Sequence, residues 1–460
     1  MTFGRWKARF SPASPVSAKT SAPGPSSLPA PDQPAVVASV APRPAYDSPA
    51  AATPPASAPE LPEPAPIETS GPAALETGGI LTIDLAAIVK NWKAIANRVV
   101  PADCTAVVKA DAYGCGIDRV AAALAEAGCA TFFVAHLNEA RQVRAALRAA
   151  VRAVAPDAAI YVLNGFPPGT AATFAEINAR PVIGSLAEFV EWDAYRTATR
   201  WSGGAALHFD TGMNRLGFAL AEAPLFATRV KMPDHGISLV MSHLACADTP
   251  SHPLNAKQIE AFRDLRFLFR GTPTSLANSS GVFLGPATHC DMVRPGAALF
   301  GVNPTPATLN LMEPVITLKA RIVQVRDVPR GDTVGYGATW TASRASRVAI
   351  VSVGYGDGYP RAAGGARMGL KGSNRLAESA AKSDAFALIA GQRCPMVGRI
   401  SMDLMAFDVS LLPREEVRRG THAVLIGDDI TVDDVASWSG TIGYEVLTSL
   451  GRRYRREWKR

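Results

Sequence analysis

Residues 106–135 read AVVKADAYGCGIDRVAAALAEAGCATFFVA, and the fold class follows from how this stretch alternates. Ala106 to Val108 is a short apolar run of the kind that forms a buried strand, and Lys109 ends it. Val120 to Ala127 has a helical apolar pattern that Gly128 stops, and Phe132 to Ala135 is apolar again. The theme continues with a helix through Arg148 and apolar runs at Ile160–Leu163, Val182–Gly184, Ala206–Phe209, Ile237–Met241 and Ser275–Ala277. Strands separated by helices imply a parallel sheet, and this many units predict an α/β fold with an N-terminal (β/α)8 TIM-like barrel. Upstream, Ile80 to Ile83 reads as a strand and Asp84 as the N-cap of an amphipathic helix through Leu85, Ile88, Trp92, Ile95 and Val99.

Beyond Glu313 the pattern becomes strand-rich: Val315–Val328, Val348–Val353, Phe386–Ile389, Pro395–Val397, Met405–Val409 and Ala423–Ile426, with helices only at Val432–Trp438 and near Glu445–Leu450. The expected organisation is a disordered Pro/Ala/Ser-rich tail at 1–77, a barrel at 78–314 and a C-terminal mostly-β domain at 315–460. Residues 363–384, rich in Gly, Ala and Ser, read as a loop insertion.

The apolar fraction of 48% is that of a soluble globular protein. The last nine residues, from Arg452, hold six basic side chains and one acid, so 6 − 1 = +5 of the net +7 lies there. That terminus reads as a solvated helix end, and no aromatic-basic pattern beyond these terminal arginines points to nucleic acid. Six scattered cysteines suggest neither a disulfide framework nor a metal site, and no run is long enough to span a membrane. Residues 1–10 lack the apolar run of a secretory signal, so a cytoplasmic location is expected.

Polar residues follow several of the apolar runs: Lys109, Arg215, His243, Asn278 with Ser279, and Arg294. In a barrel these positions open on the C-terminal face, where active sites of such enzymes lie. A lysine at a buried strand end favours its neutral amine, which can form a Schiff base with an aldehyde. The competing reading of an isolated Lys109 is a snorkelling surface lysine.

The motif Val107–Gly114 (VVKADAYG) resembles the cofactor-lysine motif of alanine racemases, fold-type III pyridoxal-phosphate enzymes. In that family's order follow 210–217 (DTGMNRLG), 242–245 (SHLA), 277–279 (ANS), 293–296 (VRPG), 335–337 (GYG), 354–358 (GYGDG) and 398–403 (GRISMD). The resemblance spans about residues 79–456, and an ordered set of motifs is far more specific than any one of them.

It implies pyridoxal 5'-phosphate as cofactor and racemisation of alanine by two bases, Lys109 and Tyr336, with D-alanine supplied to peptidoglycan. It implies a homodimer in which Tyr336 completes the partner's site, and a small amino acid as substrate. Tyr113, Arg215, His243, Asn278, Ser279, Arg294, Gly296, Ala297 and Tyr444 would hold the cofactor, with Arg294 facing the pyridine nitrogen. Arg215, the Met402 backbone and Tyr355 would meet the substrate, and Asp248, Arg361, Arg399 and Ile442 would line its channel. A phenol with a pKa near 10 needs a nearby cation to act as a base, a role the resemblance gives to His243 and Arg294.

Two positions depart from the family pattern. His208 stands where a carbamylated lysine braces the arginine matching Arg215, so a neighbouring amide such as Asn214, or an anion, must steady that arginine. Cys115 replaces a histidine and reads as core. Competing functions are a serine or broad-specificity racemase, a decarboxylase of similar architecture, and a non-catalytic cofactor-binding protein. The last two leave the Tyr336 segment without a purpose.

Overall fold

A computed structural model describes residues 67–149, 157–232, 234–368, 378–380 and 384–460. Seven strands run side by side in the order Ala106–Val107, Thr131–Val134, Ala159–Val162, Arg180–Ile183, Ala205–Asp210, Ile237–Met241 and Thr274–Ser275, every neighbouring pair parallel. Met292–Val293 is the eighth strand and closes the ring. On one side Asp291 N donates to Thr274 O (3.0 Å), and on the other Thr105 N donates to Val293 O (3.1 Å) and Val107 N to Pro295 O (2.9 Å). The result is the expected (β/α)8 barrel.

Side chains from its strands fill the interior: Val107, Phe133, Tyr161, Val182, Ala206, Leu239 and Met292 form one buried cluster. The barrel is therefore a packed core whose open chemistry lies at its ends. Phe133 and Tyr161 stack there with ring centroids 4.9 Å apart.

The second sheet is mostly antiparallel and built around the long strand Ile316–Val328, which pairs with His422–Ile426 and, along its far half, with Ser346–Val351. Ser346–Val351 in turn pairs with Met405–Asp408. Gly79–Asp84, read as the start of the barrel segment, belongs to this sheet instead, antiparallel to Ile316–Val328 and parallel to Arg455–Lys459. Its alternating burial, with Gly79, Leu81 and Ile83 inward, is that of a strand with one face on a core. Local sequence cannot distinguish that setting from a barrel strand.

Asp84 caps the helix Leu85–Val99 as expected, its carboxylate accepting from Ala87 N at 2.9 Å. Of the stretch read as a disordered tail, residues 1–66 lie outside the described residues. Glu68–Ser70 is a strand paired with Arg455–Lys459. Of the expected insertion at 363–384, Ala366–Met368 and Glu378–Ala380 pair as a hairpin, and 369–377 and 381–383 lie outside the described residues.

The basic C-terminus is a strand, not a helix end. Lys459 pairs with Asp84 (2.8 Å), Arg455 with Glu457 (2.8 Å), Arg460 with Glu68 (3.4 Å), and Arg453 with Asp403 (2.9 Å) and Asp357 (3.2 Å). Four of the six cations in this run are thus matched to carboxylates, which leaves little of it as a free electrostatic surface. Among the described residues no helix is long and apolar enough to cross a membrane.

Removing the cap at the seam between the two sheets tests this arrangement. Asp84→Ala should lower unfolding free energy by about 1 kcal/mol, and Asp84→Asn by less, since its amide oxygen still caps. Urea midpoints with unchanged slopes would report this. Equal loss in both variants would assign the effect to the Lys459 pair instead.

Candidate active site

The structure brings ten of the singled-out residues to one end of the barrel. Lys109 follows the first barrel strand, and the backbone then does something unusual for L-residues. Ala110, Asp111, Ala112 and Tyr113 all lie in the left-handed region, at φ 54°, 56°, 52° and 53°. Left-handed turns cost about 1–2 kcal/mol per non-glycine residue and persist only where surroundings dictate them. Here Ala112 N reaches Val108 O and Gly114 N reaches Ala110 O, each at 2.9 Å. The Asp111 carboxylate accepts from Ile117 N (2.9 Å), and Glu139 accepts from Ala110 N (2.7 Å).

Glu139 is buried, and its other oxygen takes Ala135 N (2.8 Å) and His136 N (3.0 Å). Sequence reasoning missed it. Its only signal was an acid in the first turn of a helix, which usually means no more than a capping interaction.

Lys109 is half-buried and its pKa is lowered, first by burial and then by the Arg215 guanidinium, while Glu139 opposes the shift. Arg294 lies buried across the barrel end, its guanidinium carbon 5.9 Å from the Phe133 ring. It donates to Ser275 Oγ, to Ser242 O (2.6 Å) and towards His243 Nδ1 (3.4 Å). Burial brings its pKa down to about 10, so it remains a cation at neutral pH.

His243 is held well below the ordinary imidazole value by burial and by Arg294 and Arg215, and is therefore neutral. Because Arg294 points a donor at Nδ1, the ring proton is assigned to Nε2. Asn278 lies 3.5 Å from Nε2 and fixes the next turn by accepting from Gly281 N (2.8 Å).

The segment carrying Arg215 is braced by Asp210, not by the Asn214 side chain. The Asp210 carboxylate accepts from Gly212 N (2.9 Å), Met213 N (2.8 Å) and Asn214 N (2.9 Å). Gln258, fully buried and not singled out from sequence, ties this segment to the next. Its amide donates to Thr211 Oγ1 (3.1 Å) and His243 O (2.9 Å), and its oxygen accepts from Ala245 N (2.9 Å).

An anion cradle lies beside the lysine. Ser279 Oγ accepts from Gly296 N (2.9 Å) and Ala298 N (3.2 Å) at the start of the short helix Ala297–Phe300. First-turn amides of a helix have no intrahelical acceptor and favour anions. Any Cβ at Gly296 would fall 2.3 Å from the Tyr113 hydroxyl, so only glycine fits. Tyr113 stacks on Phe300 (4.8 Å between centroids) and tilts against Tyr444 (6.2 Å) on the helix Gly443–Ser449. A buried cationic floor, a depressed amine and a glycine–serine cradle suit a flat anionic aldehyde such as pyridoxal phosphate.

Tyr336, Tyr355 and Met402 form a separate group on the β-rich part. Tyr336 sits on the tip between the paired strands Thr333–Val334 and Trp340–Thr341 and is 71% exposed. A Cβ at Gly337 would lie 3.3 Å from the Arg399 guanidinium, so Arg399 flanks this tip. Gly356 N donates to Met402 O (2.8 Å) and Tyr355 N to Ser401 O (3.1 Å), and Arg453 clamps both turns through Asp357 and Asp403. Within one chain His243 and Arg294 keep company with Lys109, and the cation beside Tyr336 is Arg399. Cys115 is buried as core, and its thiol is pushed up to about 12 by burial.

His208, on the barrel strand Ala205–Asp210, is buried and pushed down to about 4 by burial, then by Arg294. Its unfolded counterpart binds a proton near pH 6.5, the folded one only near 4, so stability present above 6.5 is lost on acidification between those values. The loss attributable to His208 is on the order of 3 kcal/mol. His208→Gln should flatten the pH dependence of cofactor-free unfolding in that window. Superimposable profiles for the two proteins would exclude this electrostatic picture.

Residues 83–304 match the family "Alanine racemase, N-terminal domain" and residues 315–458 match "Alanine racemase, C-terminal domain". An alanine racemase of Methylobacterium nodulans is 49% identical over 381 residues, 83% of this chain and 96% of that protein. One of Rhizobium meliloti is 44% identical over 386 residues, covering 84% and 98%. The crystal structure of alanine racemase from Bartonella henselae, with covalently bound pyridoxal phosphate, superimposes with a TM-score of 0.72 at 35% identity, over 83% of this chain and 99% of that one. Matches over both halves, on a barrel mouth built around Lys109 and Arg294, establish that the chain belongs to the alanine racemase family.

Proposed function

We propose that this protein interconverts L- and D-alanine using pyridoxal 5'-phosphate at the barrel mouth, as a homodimer in which Lys109 and the partner's copy of Tyr336 work on opposite faces of the substrate. The observation that carries the reading is the depressed, half-buried Lys109 amine lying among Arg215, His243 and Arg294 beside the Gly296–Ser279 cradle. Bound pyridoxal phosphate would supply an electron-withdrawing ring that acidifies the α C–H of an attached amino acid.

Each residue then has a task. Lys109 would hold the cofactor through Nζ, and that same nitrogen takes or returns the α-proton. The Tyr336 phenolic oxygen does the same from the other face, so configuration is lost because the proton returns to the side it did not leave. Ser279, the Gly296 and Ala297 amides and Tyr444 hold the phosphate, with Tyr113 packed against Tyr444. Arg294, a cation with terminal nitrogens held by Ser242 and Ser275, would keep the ring nitrogen of the bound cofactor unprotonated. That weakens the electron sink and favours returning the proton to the α-carbon over transamination. Neutral His243 seats Arg294 without adding charge. Arg215 and the Met402 backbone meet the substrate carboxylate, and Tyr355 narrows the approach to a small side chain.

Shared sites are supported by the exposure of Tyr336 (71%) and Met402 (54%), large side chains on the β-rich part that lack cover within one chain. We place the domain boundary at 314/315, supported by the change from parallel barrel strands to a mostly antiparallel sheet. A cytoplasmic location is supported by six free thiols, and D-alanine for peptidoglycan is the physiological role we assign.

Purified, cofactor-loaded protein incubated with L-alanine should accumulate D-alanine, with slower conversion of L-serine. No D-isomer from either would overturn the reading. Mixing Lys109→Ala with Tyr336→Phe subunits should restore about a quarter of wild-type activity after random exchange in a two-fold dimer. No recovery despite confirmed exchange would place both bases on one chain.

A further inference from the structure

We infer that the last strand of the chain, Arg455–Lys459, is a positioning device for Lys109, acting through Arg456 and Trp458. The inference rests on the reading of Lys109 as the cofactor-bearing amine.

The left-handed turn at 110–113 is followed by the carbonyls of Gly114 and Cys115, and both accept hydrogen bonds from this strand, more than three hundred residues away. Arg456 donates to Gly114 O and, from its other terminal nitrogen, to Leu450 O (3.0 Å) and Gly451 O (3.2 Å). One planar guanidinium thus straddles the lysine turn and the end of the helix Gly443–Ser449, which carries Tyr444. Trp458 Nε1 donates to Cys115 O at 2.7 Å, and its ring lies against Gly116, where a Cβ would sit 3.1 Å from Cζ2. Arg119 covers that ring, 4.1 Å from its centroid. Gly114, at φ +81°, approaches the same helix so closely that a Cβ would be 2.6 Å from Leu447 O.

The strand is itself immobilised between Glu68–Ser70 and Gly79–Asp84, and Trp458 is buried. A strained turn is only as well placed as the groups that dictate it. These donors fix where the turn ends, Glu139 fixes where it begins, and Lys109 immediately precedes it. Loss of the Arg456 or Trp458 donor would free the turn and blur the direction of the Lys109 side chain, without touching cofactor or substrate.

The test uses full-length Arg456→Gln, Arg456→Lys and Trp458→Phe, which keep bulk while altering donors. In cofactor-free protein, hydrogen exchange of the peptide covering 109–117 should accelerate about tenfold or more in Arg456→Gln and Trp458→Phe, with Thr131–Val134 unchanged. In loaded protein, kcat should fall about tenfold with KM within about twofold, and the pH midpoint of the bound cofactor's absorbance should move. Arg456→Lys, retaining a cationic donor, should recover part of both effects. Unchanged exchange at 109–117, or equal acceleration in the barrel strands, would overturn the inference. If wild-type protein takes up no cofactor, the catalytic reading fails, while the exchange arm still decides whether the strand holds the turn.

Discussion

A left-handed stretch of four L-residues is the constraint on which the barrel mouth depends. Left to itself, that backbone relaxes, because each Cβ crowds the following carbonyl. It stays because both of its ends are tied to distant structure: Glu139 from the next barrel helix at the start, and the C-terminal strand at the finish. The geometry has two effects together. It leaves Lys109 at a strand end, and it turns Tyr113 back under Gly296, where no other residue leaves room for the hydroxyl. The lysine and the phosphate cradle are thus placed by one device, and neither is adjustable without the other.

Electrostatics completes what the backbone begins. Lys109, His208, Arg215, His243 and Arg294 influence one another at close range, and the carboxylate that opposes the shift on Lys109, Glu139, has its oxygens engaged by three amides. The folded protein tolerates this concentration by leaving both imidazoles uncharged. What remains is a positive, partly desolvated end of a barrel, complementary to a ligand bearing a phosphate and a carboxylate. Arg294 is the most constrained member, since its donors are committed to Ser242, Ser275 and His243.

The barrel was legible because a parallel strand buried on both faces is a short apolar run, and helices between such runs keep their own periodicity. The polar residues ending those runs, Lys109, His243, Asn278 and Arg294, were found for the same reason, and they do converge. What was not legible is pairing at long range. Ile80–Ile83 reads identically in a barrel or in an antiparallel sheet, and only its partners Ile316–Ile83 and Trp458–Ile83 decide. The basic terminus read as a solvated end because nothing local announces that Asp84, Glu68, Asp357 and Asp403 await its charges. Glu139, Gln258, Arg456 and Trp458 escaped notice because their importance lies in the carbonyls and amides they satisfy, which carry no side-chain signal.

The placement of Gly79–Asp84 between Ile316–Val328 and Arg455–Lys459 also sets an order of assembly during synthesis. The barrel closes with Met292–Val293, so all its strands are present in the nascent chain well before Arg455–Lys459 is made. Gly79–Asp84 must wait for Arg455–Lys459 to emerge before both its edges are covered. Until then the turn after Lys109 lacks its distal ties. Any chain lacking Arg455–Lys459 would thus have the barrel strands but neither of the bonds that tie Gly114 and Cys115.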